Sequence, residues 1–221
     1  MTHRNSSYGR EKGARKPKKP LDPEKLEELA LSYVARFATS SGKLSAYLAR
    51  KLRERGWAGD NERDVDEGRD CAKGIVERFV SRGFVDDAGY ARAKAGDLLR
   101  RGYGARRVGQ ALNAAGIDEE IRSRAAPGEG ARRAAVLALA RRRRFGPFAR
   151  GGADDALSPE ERRRAHEKRL AAMLRAGHNH GDAQAMLAFA RVEEAEQWVS
   201  EGYEDADEDE KPQDDKWGQL P

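Results

Sequence analysis

The sequence predicts an all-α protein of tandem three-helix repeats stacked into an elongated array. Three observations predict it. No alternating apolar and polar run lasts more than a few residues, so the signature of a strand is missing. Capping residues mark helix starts repeatedly. Five helix ends carry one punctuation, in which an apolar residue is followed four positions later by Gly and then usually by a bulky side chain: Leu52 with Gly56-Trp57, Phe79 with Gly83-Phe84, Leu98 with Gly102-Tyr103, Leu112 with Gly116-Ile117 and Met173 with Gly177-His178. A helix that stops this way places its terminal residue at positive φ, which Gly adopts without steric cost, and packs the next side chain back on the last turn.

The elements follow in order. In "LDPEKLEEL" Asp22 is an N-cap and Pro23 takes the first helical position, where its missing N–H costs nothing. Ser41 is the candidate cap of "GKLSAYLARKLRERGW"; there Leu44, Leu48 and Leu52 form one stripe with Tyr47 at its edge, while Lys43, Arg50 and Arg53 project from the other side. After Phe84, Asp86 and Asp87 stand where carboxylates satisfy the free N–H groups of the next helix. "ARRVGQALNAAGI" puts Val108, Ala111 and Leu112 inward and Arg106, Gln110 and Asn113 outward, and Asp118 caps "EEIRSRA". In "ALARRRRF" four arginines span more than a turn. Arg143 falls nearest the Val136 and Ala140 side, leaving Arg141 and Arg144 to meet a partner. Ser158, Pro159 and Glu161 form a capping box, and "GHNHGD" reads as a polar turn with Asn179 or His180 at the next helix start.

Short helices with narrow stripes bury too little to stand alone, so neighbouring units must cover one another. The expected division is residues 21–66, 67–127 and 128–198, the last interrupted by a Gly- and Pro-containing loop near 146–158. A basic tail over 1–20 and an acidic tail over 199–221 are expected to be disordered.

Charge and composition bound the function. Of 221 residues 38% are hydrophobic and 37% charged, which argues against one thick core. Net charge is +5 with opposed ends: residues 1–20 hold seven Lys or Arg against one Glu, residues 201–221 nine acids against two Lys, so the body stays basic without either. No apolar run approaches the ~20 residues of a membrane span and no signal sequence opens the chain, so a cytoplasmic protein is expected. The lone Cys71 fits a reducing compartment and a packing role.

"RFATSSGKLSAYLARKLRERGW", then "IVERFVSRGFVDDAGYARAKAGDLLRRGYGARRVGQALNAAGI", then "KRLAAMLRAGHNHGDAQAML" resemble the bacterial regulatory RecX family in residue type and order. The resemblance is most specific at Gly83, Phe84, Asp86, Asp87, Tyr90, Gly104 and Gly116. It implies a non-enzymatic protein whose repeat array is curved, and which lies in the groove of the RecA filament and modulates, by inhibition, its ATPase, recombinase and coprotease activities in DNA repair and the SOS response. The implied partner is that filament, with single- or double-stranded DNA as a candidate second contact and a monomer as the expected state. His178 stands where the family tends to carry an aromatic.

Arginine clusters are the richest chemical signal. Lys43, Arg50, Lys51 and Arg53; Arg100, Arg101, Arg106 and Arg107; and Arg141 and Arg144 would make a cationic stripe for an anionic groove if stacking brought them to one side. The alternative is direct DNA binding through a basic recognition helix, "GKLSAYLARKLRERG" or "GARRVGQALNAAG". No catalytic residues converge. Asp86 and Asp87 lack a neighbouring His or third acid, His178 and His180 lack a third metal ligand, and "GYGARRVG" follows no strand and matches no nucleotide loop; neither a cofactor nor a metal is expected.

Overall fold

The computed structural model describes residues 19–58, 62–149 and 157–209. Residues 1–18 and 210–221 of the two expected tails, and 150–156 of the expected insertion, lie outside that set. The described residues form ten α-helices: α1 (Pro23–Val34), α2 (Ser41–Arg55), α3 (Glu62–Ser81), α4 (Asp87–Arg100), α5 (Ala105–Ala114), α6 (Glu119–Arg124), α7 (Glu129–Arg143), α8 (Pro159–Arg175), α9 (His180–Ala188) and α10 (Val192–Asp209), with a 3-10 turn at Gly146–Phe148. Their only extended pairing is an isolated bridge between Leu21 and Trp57.

Local chemistry sets the starts. Asp22 accepts from the Lys25 N–H, Asp86 from Gly89, Asp118 from Glu120 and Asn179 from Asp182. Ser158 and Glu161 close a reciprocal capping box. Accepting the Ser158 backbone N–H holds the Glu161 carboxyl below its usual range. One cap shifts by a residue. Ser40, not Ser41, has the extended backbone and accepts from the Lys43 N–H at 3.2 Å, so Ser41 is the first residue inside α2.

The stops are the expected ones with one exception and one addition. Phe84 N–H donates to Phe79 O at 2.9 Å, Tyr103 to Leu98 at 3.0 Å, Ile117 to Leu112 at 3.1 Å and His178 to Met173 at 3.3 Å, with Gly83, Gly102, Gly116 and Gly177 at positive φ. After Gly56 the chain instead extends, so Leu21 and Trp57 pair and Gly56 O accepts from the Leu21 N–H. The addition is Arg144, with φ 58°, whose following residue Phe145 donates to Ala140 O at 2.9 Å. An arginine there closes the turn that Gly closes elsewhere, which is why a search for Gly misses it.

Three apolar clusters form. Ten buried side chains, including Leu26, Leu44, Leu48, Ile75 and Phe79, unite α1, α2 and α3; seven, around Leu98, Val108, Leu112 and Ile117, unite α4 to α6; seven, around Val136, Leu139, Met173 and Met186, unite α7 to α10. At about 2 kcal/mol per fully buried large aliphatic side chain, clusters of this size are thin for independent domains, and the units form a stacked, elongated array.

Two expected boundaries move. Ile75, Val76 and Phe79 bury against α1 and α2, so α3 belongs to the first cluster and the division falls near residue 85 rather than 66. Charge density placed residue 199 in a disordered tail, yet α10 continues to Asp209: Ala195 is fully buried, Trp198 packs on the third cluster, and Gly130 of α7 lies against the Tyr203 ring. The third unit thus has a fourth helix.

Candidate partner-binding surface

The signature glycines and acids act mainly between units. At the first joint the start of α2 meets the end of α5. Ser40 Oγ donates to Ala115 O at 2.6 Å, and a Cβ on Gly42 would lie 2.6 Å from Gly116 Cα. Asp87 reaches across the same joint, accepting the Ser41 N–H at 2.8 Å and the Ser41 hydroxyl at 2.5 Å, while Asp86 stays local as the α4 cap. At the second joint the start of α5 meets the end of α8. Gly104 N–H donates to Ala176 O at 3.0 Å and Arg106 N–H to Gly177 O at 3.2 Å; a Cβ on Gly104 would collide with the Gly177 carbonyl group. So α8, α5 and α2 run end to end: the α8 C-terminus supplies acceptors to amides at the start of α5, where a helix otherwise leaves donors unsatisfied, and the α5 C-terminus accepts from the Ser40 hydroxyl at the start of α2.

This arrangement bears on the DNA-recognition alternative. A recognition helix presents its N-terminal residues to base edges. The N-termini of α2 and α5 are both packed on another helix, so neither is free to enter a groove.

Beside the first joint lies an open groove of about 600 Å³ whose walls include Phe37, Lys43, Phe84, Tyr90 and Lys94. Phe84 is 53% exposed and Phe37 57% exposed, although each contacts an inner ring, Phe79 edge-on and Tyr33 at a tilt respectively, with centroids 5.4 Å apart in both pairs. Leu31 of α1 and Val80 of α3, the helices that Phe37 and Phe84 follow, are also exposed. Lys43 Nζ donates to the Tyr90 hydroxyl at 2.5 Å and lies 4.9 Å from its ring centroid. The sequence named Phe84 for its place in a helix stop. Its exposure and Phe37 were not legible there, because the stop fixes where the ring starts and not what covers it.

The predicted cationic residues separate by environment. Arg50 and Lys51 flank Glu54 at 3.7 and 2.9 Å and both lie beside the Tyr47 ring; Arg101 pairs with Asp97 at 3.3 Å; Arg141 pairs with Glu196 at 2.5 Å and covers the Phe148 ring. Arg106 donates to Leu174 O at 2.6 Å across the second joint. Arg53, Arg100, Arg107 and Arg144 are exposed and form no ion pair with a described carboxylate. Arg142 and Arg143 line a cavity with Leu139 and Phe145.

His178 is buried at the second joint with Nε2 3.1 Å from Gly102 O. Burial holds its imidazole below the usual value, against the opposing pull of the Gly102 carbonyl and Asp182. His180 is exposed at the start of α9. Among the described residues no three His, Cys, Asp or Glu converge on a metal-sized site. Cys71 is half-buried, and burial raises its thiol. No described helix is long and apolar enough to cross a membrane.

Comparison with known proteins addresses the family. Residues 86–125, which are α4 to α6 with the α4 cap, match the model of the RecX second three-helix domain. Over 181 residues the chain is 29% identical to the regulatory protein RecX of Myxococcus xanthus, covering 80% of this chain and 91% of that one. The chain is thus similar to RecX over most of its length, and most specifically over α4 to α6. The RecX crystal structure from Lactobacillus salivarius has the same fold, with a TM-score of 0.56 at 15% identity over 79% of this chain and 97% of that chain. The RecX match begins at the α4 cap, close to where the packing divides the first cluster from the second.

Proposed function

We propose that this chain is a non-catalytic regulator that binds the RecA nucleoprotein filament and inhibits its ATPase, recombinase and coprotease activities. RecA enters through the similarity to RecX. The supporting observation in the chain itself is the end-to-end joining of α8, α5 and α2, which fits binding along a repetitive partner better than binding in one cleft. Inhibition is by occupancy: an array held across several subunits opposes the rearrangements that hydrolysis and strand exchange require.

The docking residues we propose are Lys43, Arg50, Lys51, Arg53, Arg100, Arg101, Arg106, Arg107, Arg141 and Arg144. Arg53, Arg100, Arg107 and Arg144 have the largest share, because no described carboxylate neutralises them. Exposed Phe37 and Phe84 supply the apolar component. Saturating protein should lower RecA ATPase and strand exchange on single-stranded DNA; unchanged rates would overturn the proposal. Sequence-dependent affinity for free duplex DNA without RecA would favour the direct DNA-binding alternative.

A further inference from the structure

Where α7 and α8 end, three arginines line one cavity with no carboxylate in its wall. Arg142 and Arg143 come from α7 and Arg175 from the last turn of α8; Tyr103 and Phe145 contribute rings, and the volume is about 270 Å³. Arginines elsewhere are commonly neutralised, as in Arg122 with Glu119, Arg133 with Glu129 and Arg164 with Glu160. Here they are not. Arg143 and Arg175 form no ion pair with a described carboxylate, and Arg142 is anchored by donating to Arg101 O at 2.5 Å, which leaves its remaining N–H groups available.

The ordinary explanation is that cations favour helix C-termini. That accounts for each arginine singly and not for their convergence. Carbonyls of both last turns are in part engaged by the closing turns, Ala140 O of α7 by Phe145 N–H, and Ala172 O and Met173 O of α8 by Ala176 and His178 N–H. Guanidinium groups from two helices facing one small volume repel one another, and an anion in that volume reverses the sign of the interaction. Planar forks of donors match phosphate oxygens, and the Tyr103 hydroxyl, which has no hydrogen-bond partner among the described residues, can add a neutral donor.

We propose that this cavity is a binding site for a phosphate group, carried on a polynucleotide or on a free polyphosphate. The site lies between the second and third units, apart from the aromatic groove beside the first joint, and does not depend on RecA.

The test uses the full chain without RecA. Pyrophosphate is titrated at constant ionic strength against chloride while the thermal midpoint is followed, and a fluorescent single-stranded oligonucleotide is then displaced by pyrophosphate. Saturable stabilisation is expected, and the pair Arg143→Gln with Arg175→Gln should weaken pyrophosphate affinity about tenfold or more. Arg92→Gln, exposed on α4 outside the cavity, should not. Displacement of the oligonucleotide identifies polymer phosphate as a ligand; stabilisation without displacement identifies the free polyphosphate, and both support the site. No stabilisation beyond chloride, or equal weakening by Arg92→Gln, would overturn it.

Discussion

The two joints between units share one topology and differ in what bonds them. At both, the N-terminus of one unit's second helix sits on the C-terminus of the next unit's second helix. The first relies on side chains: Ser40 donates to Ala115 O, Asp87 accepts from Ser41, and Lys43 reaches Tyr90. The second relies on backbone, with Gly104 and Arg106 amides donating to Ala176 and Gly177 carbonyls and His178 set against Gly102. The difference separates what one substitution can reach. A side-chain joint can be cut one bond at a time, whereas a backbone joint yields only to a change of shape.

The largest effect is therefore expected at the second joint. Gly104→Ala places a Cβ inside the Gly177–His178 peptide unit, where every close atom is backbone and nothing flexible can move. A loss of about 3 kcal/mol in denaturant unfolding is expected; a loss within experimental error would mean that the units are not in contact there. At the first joint Ser40→Ala removes the α2 cap and the donor to a carbonyl in one step, because Ser40 is fully buried. About 2 kcal/mol is expected in the same measurement, and a neutral result would remove the side-chain description of that joint.

The smallest effect depends on pH. Burial lowers the folded-state pKa of His178, so the unfolded chain binds this proton more readily. The contribution is fully present above the ordinary imidazole value of about 6.5 and is lost as pH falls through the folded value. The thermal midpoint of the native protein should accordingly fall further than that of His178→Gln between about pH 7.5 and pH 5.5. Parallel curves would place the ring in solvent.

The sequence shows the helices well because their boundaries are local. Asp22, Asp86 and Ser158 cap from within a turn, and Gly83, Gly102, Gly116 and Gly177 stop helices by their own backbone freedom. It shows the joints poorly, since Asp87 finds Ser41 46 residues away and Gly104 is required not by its own φ but by the approach of Gly177. For the same reason α3 was assigned by spacing to the second unit and by packing belongs to the first. The cationic residues were visible as a set. Which of them have neighbouring carboxylates was not, because pairs such as Arg141 with Glu196 join distant helices.

The central claim is that α8, α5 and α2 meet end to end. In a free helix the first amides lack partners and exchange with solvent readily, so the Gly104 and Arg106 amides report the contact directly. Amide hydrogen exchange followed by NMR should show both protected to an extent comparable with Leu112 inside α5. Fast exchange at these two positions, with the rest of α5 protected, would contradict the joint.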